Sequence, residues 1–352
     1  MVIVFAILLF SLLIFVHELG HFVAAKLSGV QVNEFAIFMG PALVKWKRGE
    51  TEYSIRCIPI GGYCAMEGED AETDNPRAFT KAKWWKRLII LVAGSFMNFV
   101  IGLVLLFIVL TPAQRFVTTE VEQVEAGSCF QEGNAIESGD RILSIGGEKL
   151  YVQSDFSLIL SVKKGTTHDV QVLRDGERLL LEDVKFEPRE FTNEDGSPSM
   201  RYGIIFKTTD ATLGEKLKYT WNGALDYVRM VRLSLGMLFR GEAGINDLAG
   251  PVKIVEQMSE TAQAAASVSD AIFRMLDFGA LIAINLAVMN MLPIPALDGG
   301  RALCLLLTTA VEAITRKKLD PKYEGYLHAA GMILLLGFMA IVTLKDIFGL
   351  FQ

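Results

Sequence analysis

The fold is decided by residues 2–21, VIVFAILLFSLLIFVHELGH, in which an uncharged apolar run leads directly into the motif HELGH at 17–21. On a helix, His17 and His21 lie one turn apart on the same face, about 6 Å from each other, so both imidazoles can bind one metal ion. Glu18 follows the first histidine, where its carboxylate can take a proton from a water on that metal. This spacing is typical of zinc hydrolases.

The depth of the motif strengthens the functional interpretation. Residues 2–16 carry no charge, so a helix that continues through His21 brings polar side chains into a membrane span. A charge at the centre of a bilayer costs about 2.5–3.5 kcal/mol on insertion scales, and polar residues at that depth are expected to be functional. Neither the basic start nor the small-residue cleavage site of a signal peptide is present. An incidental pair of helix histidines is the alternative.

Composition independently indicates a membrane protein. Of 352 residues, 51% are hydrophobic and only 21% are charged, and the apolar residues are grouped in long segments. A net charge of −6 gives no basic surface for nucleic acid. The 4 cysteines are scattered without the spacing of a zinc finger or of a disulfide scaffold.

Four segments are long enough to cross a hydrocarbon core of about 30 Å, which needs about 20 residues. The predicted transmembrane helices are 1–26, 88–111, 270–298 and 327–350. Lysine and arginine are concentrated in the two connections 27–87 and 299–326. The positive-inside rule therefore predicts that both connections are cytoplasmic and that the termini and the long central region lie outside. The second connection, 299–326, is predicted as a loop.

The first connection, 27–87, alternates apolar and polar residues as strands do, and glycines at 61 and 62 interrupt the second strand. We predict a β-hairpin or re-entrant region on the cytoplasmic side. A strand edge beside a protease site could pair with an extended substrate. A small amphipathic hairpin on the membrane surface is an equally compatible interpretation.

The central region is predicted to be a β-rich domain at 114–206 followed by an amphipathic helical linker at 211–268. The stretch SGDRILSIGG at 138–147 resembles bacterial PDZ domains. The apolar stripe of the linker is expected on the outer membrane surface or against the β-rich domain. The predicted fold class is a polytopic α-helical membrane protein with four transmembrane helices, a membrane-associated β-hairpin region and one extracytoplasmic PDZ-like domain.

A third metal ligand is expected because a catalytic zinc usually takes three protein ligands and leaves one position for water. The third span ends in NLAVMNMLPIPALDGG at 285–300, where two prolines break the helix and free backbone groups for a site. Asp298 lies at the cytoplasmic end of this span, at a depth comparable to His21. His168 falls outside the membrane and His328 begins the fourth span. Asp298 could instead cap a helix-terminating turn.

In the second span, AGSFMN at 93–98 combines small residues with Asn98, which favours helix packing over a direct catalytic role. Taken together, the motifs of this chain resemble the site-2 protease family, and more narrowly the bacterial intramembrane zinc proteases that cleave anti-sigma factors. The motifs that carry the resemblance are HELGH at 17–21, PIGGY at 59–63, AGSFMN at 93–98, the PDZ-like segment, Gly250-Pro251 and residues 285–300.

The resemblance implies roles for individual residues. Zinc would be held by His17, His21 and Asp298, with Glu18 as the catalytic acid and base. Asn285 and Asn290 would orient the substrate backbone. The hairpin turn at Gly61, Gly62 and Tyr63 would dip into the membrane and pair with an unwound substrate helix.

The expected function is an intramembrane zinc metalloprotease that hydrolyses peptide bonds in or near the membrane segment of single-span proteins already trimmed outside, such as anti-sigma factors. We expect a multi-pass protein of the bacterial inner (plasma) membrane, with the lipid bilayer as its surroundings, the active site towards the cytoplasm and the PDZ-like domain outside. The alternatives are a catalytically silent membrane adaptor, expected to lack part of the four-residue set, and a metal carrier, expected to line several helices with polar residues.

Overall fold

A computed structural model of the chain describes residues 2–69, 73–131, 136–163, 165–192, 197–242, 244, 249–316 and 321–349. The chain forms two compact units, one made of residues 1–109 and 227–352 and the other of residues 110–226. The first unit contains the long apolar helices, and the second contains most of the strands.

The described residues include eight helices: α1 (Val2–Ser28), α2 (Trp84–Leu110), α3 (Ser154–Val162), α4 (Leu213–Phe239), α5 (Pro251–Gln263), α6 (Val268–Asn290), α7 (Asp298–Thr315) and α8 (Pro321–Gly349). Four of these, α1, α2, α6 and the Gly325–Gly349 part of α8, are long and apolar enough to cross a membrane. The structure therefore contains the four apolar helices that the sequence predicts, and the outward-facing apolar side chains of these helices have lipid as their natural solvent.

The third apolar helix is shorter than predicted. The prediction extended it to 298, but α6 ends at Asn290 and residues 291–297 are not helical. Pro293 and Pro295 cause the difference, because proline lacks the backbone N–H that a continuing helix needs and restricts the residue before it.

The prediction of a loop at 299–326 is wrong for its first part, which forms α7. The charged residues Arg301 and Arg316 indicated a loop, but Ala302 and Leu305 lie one turn apart and are buried. They join an apolar cluster that includes Ala25 of α1 and Ile90 of α2. The burial of this face explains why the segment is helical.

Two strands, β1 (Val32–Arg48) and β2 (Thr51–Met66), form an antiparallel two-stranded sheet. Residues 34–37 of β1 pair with two segments of β2, 52–55 and 62–65. The second strand can turn back between those segments because Gly61 has φ +80°, in the region that favours glycine. In the described register, residues 62–65 therefore have a strand partner on one side only.

The second unit is a β-rich domain with a closed apolar core. Its six-stranded sheet has the order β10-β3-β4-β6-β7, with β5 beside β4, and a separate pair joins β8 to β9. Thirteen buried apolar side chains fill the core, among them Phe130, Ile142 and Phe156. The strands are β3 (Arg115–Val124), β4 (Arg141–Ile145), β5 (Glu148–Lys149), β6 (Thr167–Arg174), β7 (Glu177–Lys185), β8 (Arg189–Thr192), β9 (Pro198–Arg201) and β10 (Ile204–Asp210). The strands of this unit agree with the β-rich domain predicted at 114–206. Its PDZ-like topology stays a prediction.

Helix α4 begins in the second unit. Tyr219 stacks on Phe116 of β3 with a centroid distance of 4.3 Å, which fixes one face of the helix to the sheet. Three residues of the predicted apolar stripe, Leu213, Leu217 and Trp221, are 67%, 56% and 51% exposed. Their exposure leaves this part of the stripe free to lie on the outer membrane surface, one of the two positions expected from the sequence, and that placement stays a prediction.

Candidate metal centre

Three polar side chains converge where α1 meets the start of α7. The Nε2 atoms of His17 and His21 are 3.2 Å apart. The Oδ2 atom of Asp298, the first residue of α7, lies 3.2 Å from His17 Nε2 and 3.3 Å from His21 Nε2. Within the described part of the chain, this is the group of histidine, cysteine and acidic side chains that could hold a metal ion.

The triangle of donor atoms fits a zinc ion. Zinc binds imidazole nitrogen and carboxylate oxygen at about 2.0–2.1 Å, so two vertices of a tetrahedron around it lie about 3.3–3.4 Å apart. The three observed edges are 3.2, 3.2 and 3.3 Å. Asp298 Oδ2 is buried without a hydrogen bond. The donor atoms are therefore of the type and spacing that zinc binds, and a bound cation would give Asp298 Oδ2 the partner it lacks.

Helix α2 orients both imidazoles through contacts to their Nδ1 atoms. His21 Nδ1 donates to the Ile90 carbonyl at 2.8 Å, so a neutral His21 imidazole carries its free lone pair on Nε2. His17 Nδ1 lies 3.3 Å from Asn98 Nδ2, while Asn98 Oδ1 is buried without a partner. Turning the Asn98 amide puts Oδ1 opposite the His17 Nδ1–H and satisfies both groups. The sequence favoured a helix-packing role for Asn98. Its contact with His17 shows that it also adjoins a predicted metal ligand.

The two helices can approach because both carry glycine at the crossing. A methyl group at Gly94 would lie 2.3 Å from His21 Nε2 and 2.8 Å from His17 Cε1. A methyl group at Gly20 would lie 2.4 Å from the Ala93 carbonyl oxygen. Gly94 is thus required by the metal centre itself. The sequence signal was a glycine four residues before Asn98 in an apolar span, but nothing in the pattern named its neighbours.

Two glycines after Asp298 bring the start of α7 against the preceding loop. A methyl group at Gly299 would lie 2.3 Å from the Met291 carbonyl oxygen. One at Gly300 would lie 2.1 Å from the Ile294 carbonyl oxygen. Any side chain at either position would push the loop away from α7 and move Asp298 with it.

Helix α8 supports the same loop from its other side. The Ala296 N–H donates to His328 Nδ1 at 3.0 Å. A methyl group at Gly331 would lie 2.5 Å from Pro295 Cβ. His328, to which the sequence preferred Asp298 as the third metal ligand, is therefore a support for the loop that leads to Asp298.

Glu18 lies between the histidine pair and the β1–β2 sheet. It is one residue after His17, so its side chain leaves α1 about 100° around the helix from that imidazole. A methyl group at Gly62 would lie 3.2 Å from Glu18 Cγ. The carboxylate is therefore beside the 62–65 segment, the part of β2 with a strand partner on one side.

Gly61 and Tyr63, the other hairpin residues predicted to bind substrate, differ in their backbone geometry and side-chain contacts. Gly61 provides the left-handed backbone turn, with φ +80°. The Tyr63 hydroxyl accepts a hydrogen bond from Arg56. Burial, followed by the nearby Glu34 carboxylate, raises the pKa of Tyr63 to about 12. Tyr63 is thus a neutral, already bonded side chain, and its backbone is the part available for strand pairing.

The two asparagines predicted to contact substrate lie on α6, at different exposures. Asn285 is exposed and Asn290, the last residue of the helix, is partly buried. Five residues of separation place them about 140° apart around the helix. The structure therefore brings His17, His21, Glu18 and Asp298 together, but does not bring the two asparagines onto one face.

Comparison with known proteins adds an independent finding. The model of peptidase family M50 matches residues 5–338. A Clostridium perfringens protein named for zinc metalloprotease activity is 38% identical over 350 residues, which cover 99% of this chain and 98% of the relative. The regulator of sigma-W protease RasP of Bacillus subtilis is 27% identical over 430 residues, which cover 98% of each chain.

Proposed function

The chain belongs to peptidase family M50, the site-2 proteases, and from that premise we propose that it cleaves the membrane segments of single-span proteins. It is an integral membrane protein and a zinc metalloprotease. The observation that carries the proposal is the convergence of His17, His21 and Asp298 at mutual distances of 3.2–3.3 Å. These donors lie on α1, which is apolar enough to cross a membrane, and at the start of α7.

In the proposed mechanism, His17, His21 and Asp298 would hold the zinc, and Glu18 would move the protons. When bound, zinc supplies Lewis-acid chemistry, lowering the pKa of a bound water to about 7 and polarising a carbonyl. Glu18 takes a proton from the attacking water and returns a proton to the leaving nitrogen. Ile90 and Asn98 keep the two imidazoles in the orientation that directs Nε2 towards the metal.

A membrane substrate must unwind before it is cut, because a helix satisfies its own backbone bonds. The 62–65 segment of β2 lies beside Glu18 and has a strand partner on one side only, so a substrate strand added at its other edge would recover hydrogen bonds lost on unwinding. Asn285 and Asn290 are proposed to orient the substrate backbone from α6. Since they lie on different faces, they would act at different points along the substrate.

The proposed substrates are single-span proteins already trimmed outside, such as anti-sigma factors, in a bacterial plasma membrane. The name of the Bacillus subtilis relative, regulator of sigma-W protease, supports this class. The cations of 27–87 support a cytoplasmic active site. The 110–226 unit would then be an outer PDZ-like domain that restricts access to trimmed substrates.

The direct test is cleavage of a panel of single-span peptides in liposomes by the wild-type protein, Glu18→Gln and the control Glu122→Gln, a change at an exposed glutamate of β3. Cut sites are mapped by mass spectrometry and bound zinc is quantified. We expect wild type and control to cleave, and Glu18→Gln to keep zinc but lose cleavage by at least about a thousandfold. Equal cleavage by Glu18→Gln would overturn its role as base. Zinc binding by the wild type without cleavage of any peptide would favour an adaptor or a metal carrier.

The trimming requirement needs its own pair of substrates. Two peptides share one membrane segment and differ only in a folded outer domain, present in one and absent from the other. The proposal predicts cleavage of the trimmed peptide at least about tenfold faster. Equal rates would remove the filtering role of the 110–226 unit without affecting the assignment of Glu18.

A further inference from the structure

A second candidate site lies where α1 ends and α2 begins. A cavity of about 260 Å³ opens there, and its lining includes Ser28, Arg77, Lys81, Lys83 and Lys86. We propose that this cavity binds the phosphate of an anionic phospholipid headgroup.

The cations of the cavity fall into two kinds. Arg77 already pairs with Glu50, at 2.6 and 2.8 Å, and Lys86 donates to the Ser28 carbonyl at 2.8 Å. Lys81 and Lys83 are exposed, and among the described residues neither ammonium group has a hydrogen-bond or ion-pair partner. The cavity therefore has two positive groups free to bind an anion and two that hold its walls.

The position of the cavity identifies lipid as the source of the anion. Ser28 is the last residue of α1 and Lys83 immediately precedes α2, so the cavity lies at the same end of two helices able to cross a membrane. Trp84 and Trp85 begin α2 and are 48% and 44% exposed. Exposed tryptophan at a helix end is typical of the membrane–water interface. A phosphate at this depth belongs to a headgroup.

The volume of the cavity and the direction of helix α2 both agree with a phospholipid headgroup as the ligand. A volume of 260 Å³ is slightly below the range of about 300–1,000 Å³ for sites that enclose a drug-sized molecule. A headgroup needs less enclosure because its acyl chains stay in the bilayer. The cavity also lies at the N-terminal end of α2, whose partial positive charge adds to that of the lysines. Basic pockets beside membrane helices are known to bind anionic headgroups.

The test uses the full-length zinc protein in nanodiscs of phosphatidylcholine with increasing phosphatidylglycerol, and retained lipids are counted by native mass spectrometry. The variant is Lys81→Gln with Lys83→Gln. The control is Lys47→Gln with Arg48→Gln, which removes two exposed charges from β1 outside the cavity lining. We expect wild type and control to retain phosphatidylglycerol alike, and the cavity variant to bind it at least about tenfold more weakly. Rescue by the double change to arginine and unchanged zinc content would show that folding is intact.

Three results would overturn the proposal. Equal weakening in the control would mean diffuse attraction between the protein and an anionic surface. Equal retention of phosphatidylcholine would remove the requirement for a negative headgroup. Competition by inorganic phosphate or glycerol phosphate at millimolar concentration, as strong as that by phosphatidylglycerol vesicles, would assign the cavity to a soluble phosphate compound.

Discussion

Helices α2 and α8 are both long and apolar, but they differ in how much of each is buried and in what each contacts. The membrane-competent parts are 27 residues long in α2 and 25 in α8. In α2, 39% of the most apolar window is buried inside the protein, against 11% in α8. One face of α2 contacts His17 and His21, while α8 contacts the protein mainly near its two ends, through His328 and Asp346.

The comparison shows that hydropathy predicts a span but not what the span contacts. At Gly94 of α2 a methyl group would lie 2.3 Å from a metal-centre nitrogen, whereas at Gly337 of α8 nothing lies within 4 Å. In the sequence the two residues look alike, because each is a glycine within a long apolar segment. The α2 glycine is fixed by the site, and the α8 glycine faces open space that lipid can fill.

The largest difference between the helices is expected from changing each glycine to alanine. Gly94→Ala should displace one of the two imidazoles, because its methyl group would overlap His21, and should reduce zinc content and cleavage by about a hundredfold or more. Gly337→Ala should leave both unchanged. Zinc quantification and peptide cleavage measure the two effects. Similar behaviour of the two variants would show that α2 does not approach the histidines this closely.

A smaller effect should follow from the polar side chains of the same two helices. Asn98→Leu removes the partner of His17 Nδ1 at nearly constant volume and should weaken zinc binding about 10–100-fold. Thr343→Val is the matched change on α8, since Thr343 Oγ1 donates to the Met339 carbonyl of its own helix, at 2.8 Å. Competition with a zinc chelator gives both affinities. Unchanged affinity of Asn98→Leu would reduce Asn98 to a packing residue.

Helix α8 also approaches the site, at the loop before Asp298, and a change there tests whether this helix affects the metal centre. His328→Leu leaves the partly buried Ala296 N–H without its acceptor, which costs about 1 kcal/mol, at the low end for an unsatisfied donor. We expect a lower unfolding temperature and a several-fold slower cleavage, with zinc still bound. His328→Asn can supply an oxygen near the position of Nδ1 and should recover part of the loss. If the leucine variant were as active as wild type, the loop before Asp298 would not depend on α8.

The smallest effect concerns the charges that hold the turn between β1 and β2 near the start of α2. Hydrogen bonds from Arg77 and then Lys26 lower the pKa of Glu50 from 4.5 to about 2. Because this pKa is lower in the folded protein, the carboxylate stabilises the fold above about pH 4.5, and the contribution is lost as the pH falls towards 2. Thermal unfolding of Glu50→Gln should therefore depend less on pH in this window than that of wild type or of Glu260→Gln, a change at an exposed glutamate of α5. Parallel pH profiles would argue against this ion pair.

Local patterns made much of the site predictable. The spacing of His17 and His21 and the break before Asp298 lie within short stretches, so the sequence indicated each donor segment. The four apolar helices followed from length and composition. The PDZ-like topology and the roles of the asparagines remain predictions.

The rest depended on contacts between distant segments. Helix α7 was missed because its arginines masked the burial of Ala302 and Leu305 against α1 and α2. The glycines at 61 and 62 indicated an interruption of the second strand, but not that residues 34–37 pair with both 52–55 and 62–65. His328 was weighed only as a ligand, and its support of Ala296 appears once α8 is packed beside the loop.

X-ray absorption at the zinc edge of the wild-type protein would show whether two imidazoles and one carboxylate hold the zinc. We expect only nitrogen and oxygen neighbours at about 2.0–2.1 Å, with the histidine signal corresponding to two imidazoles. Asp298→Ala should lower zinc occupancy under the same conditions. A sulfur neighbour at about 2.3 Å, or full zinc occupancy without Asp298, would contradict the assignment.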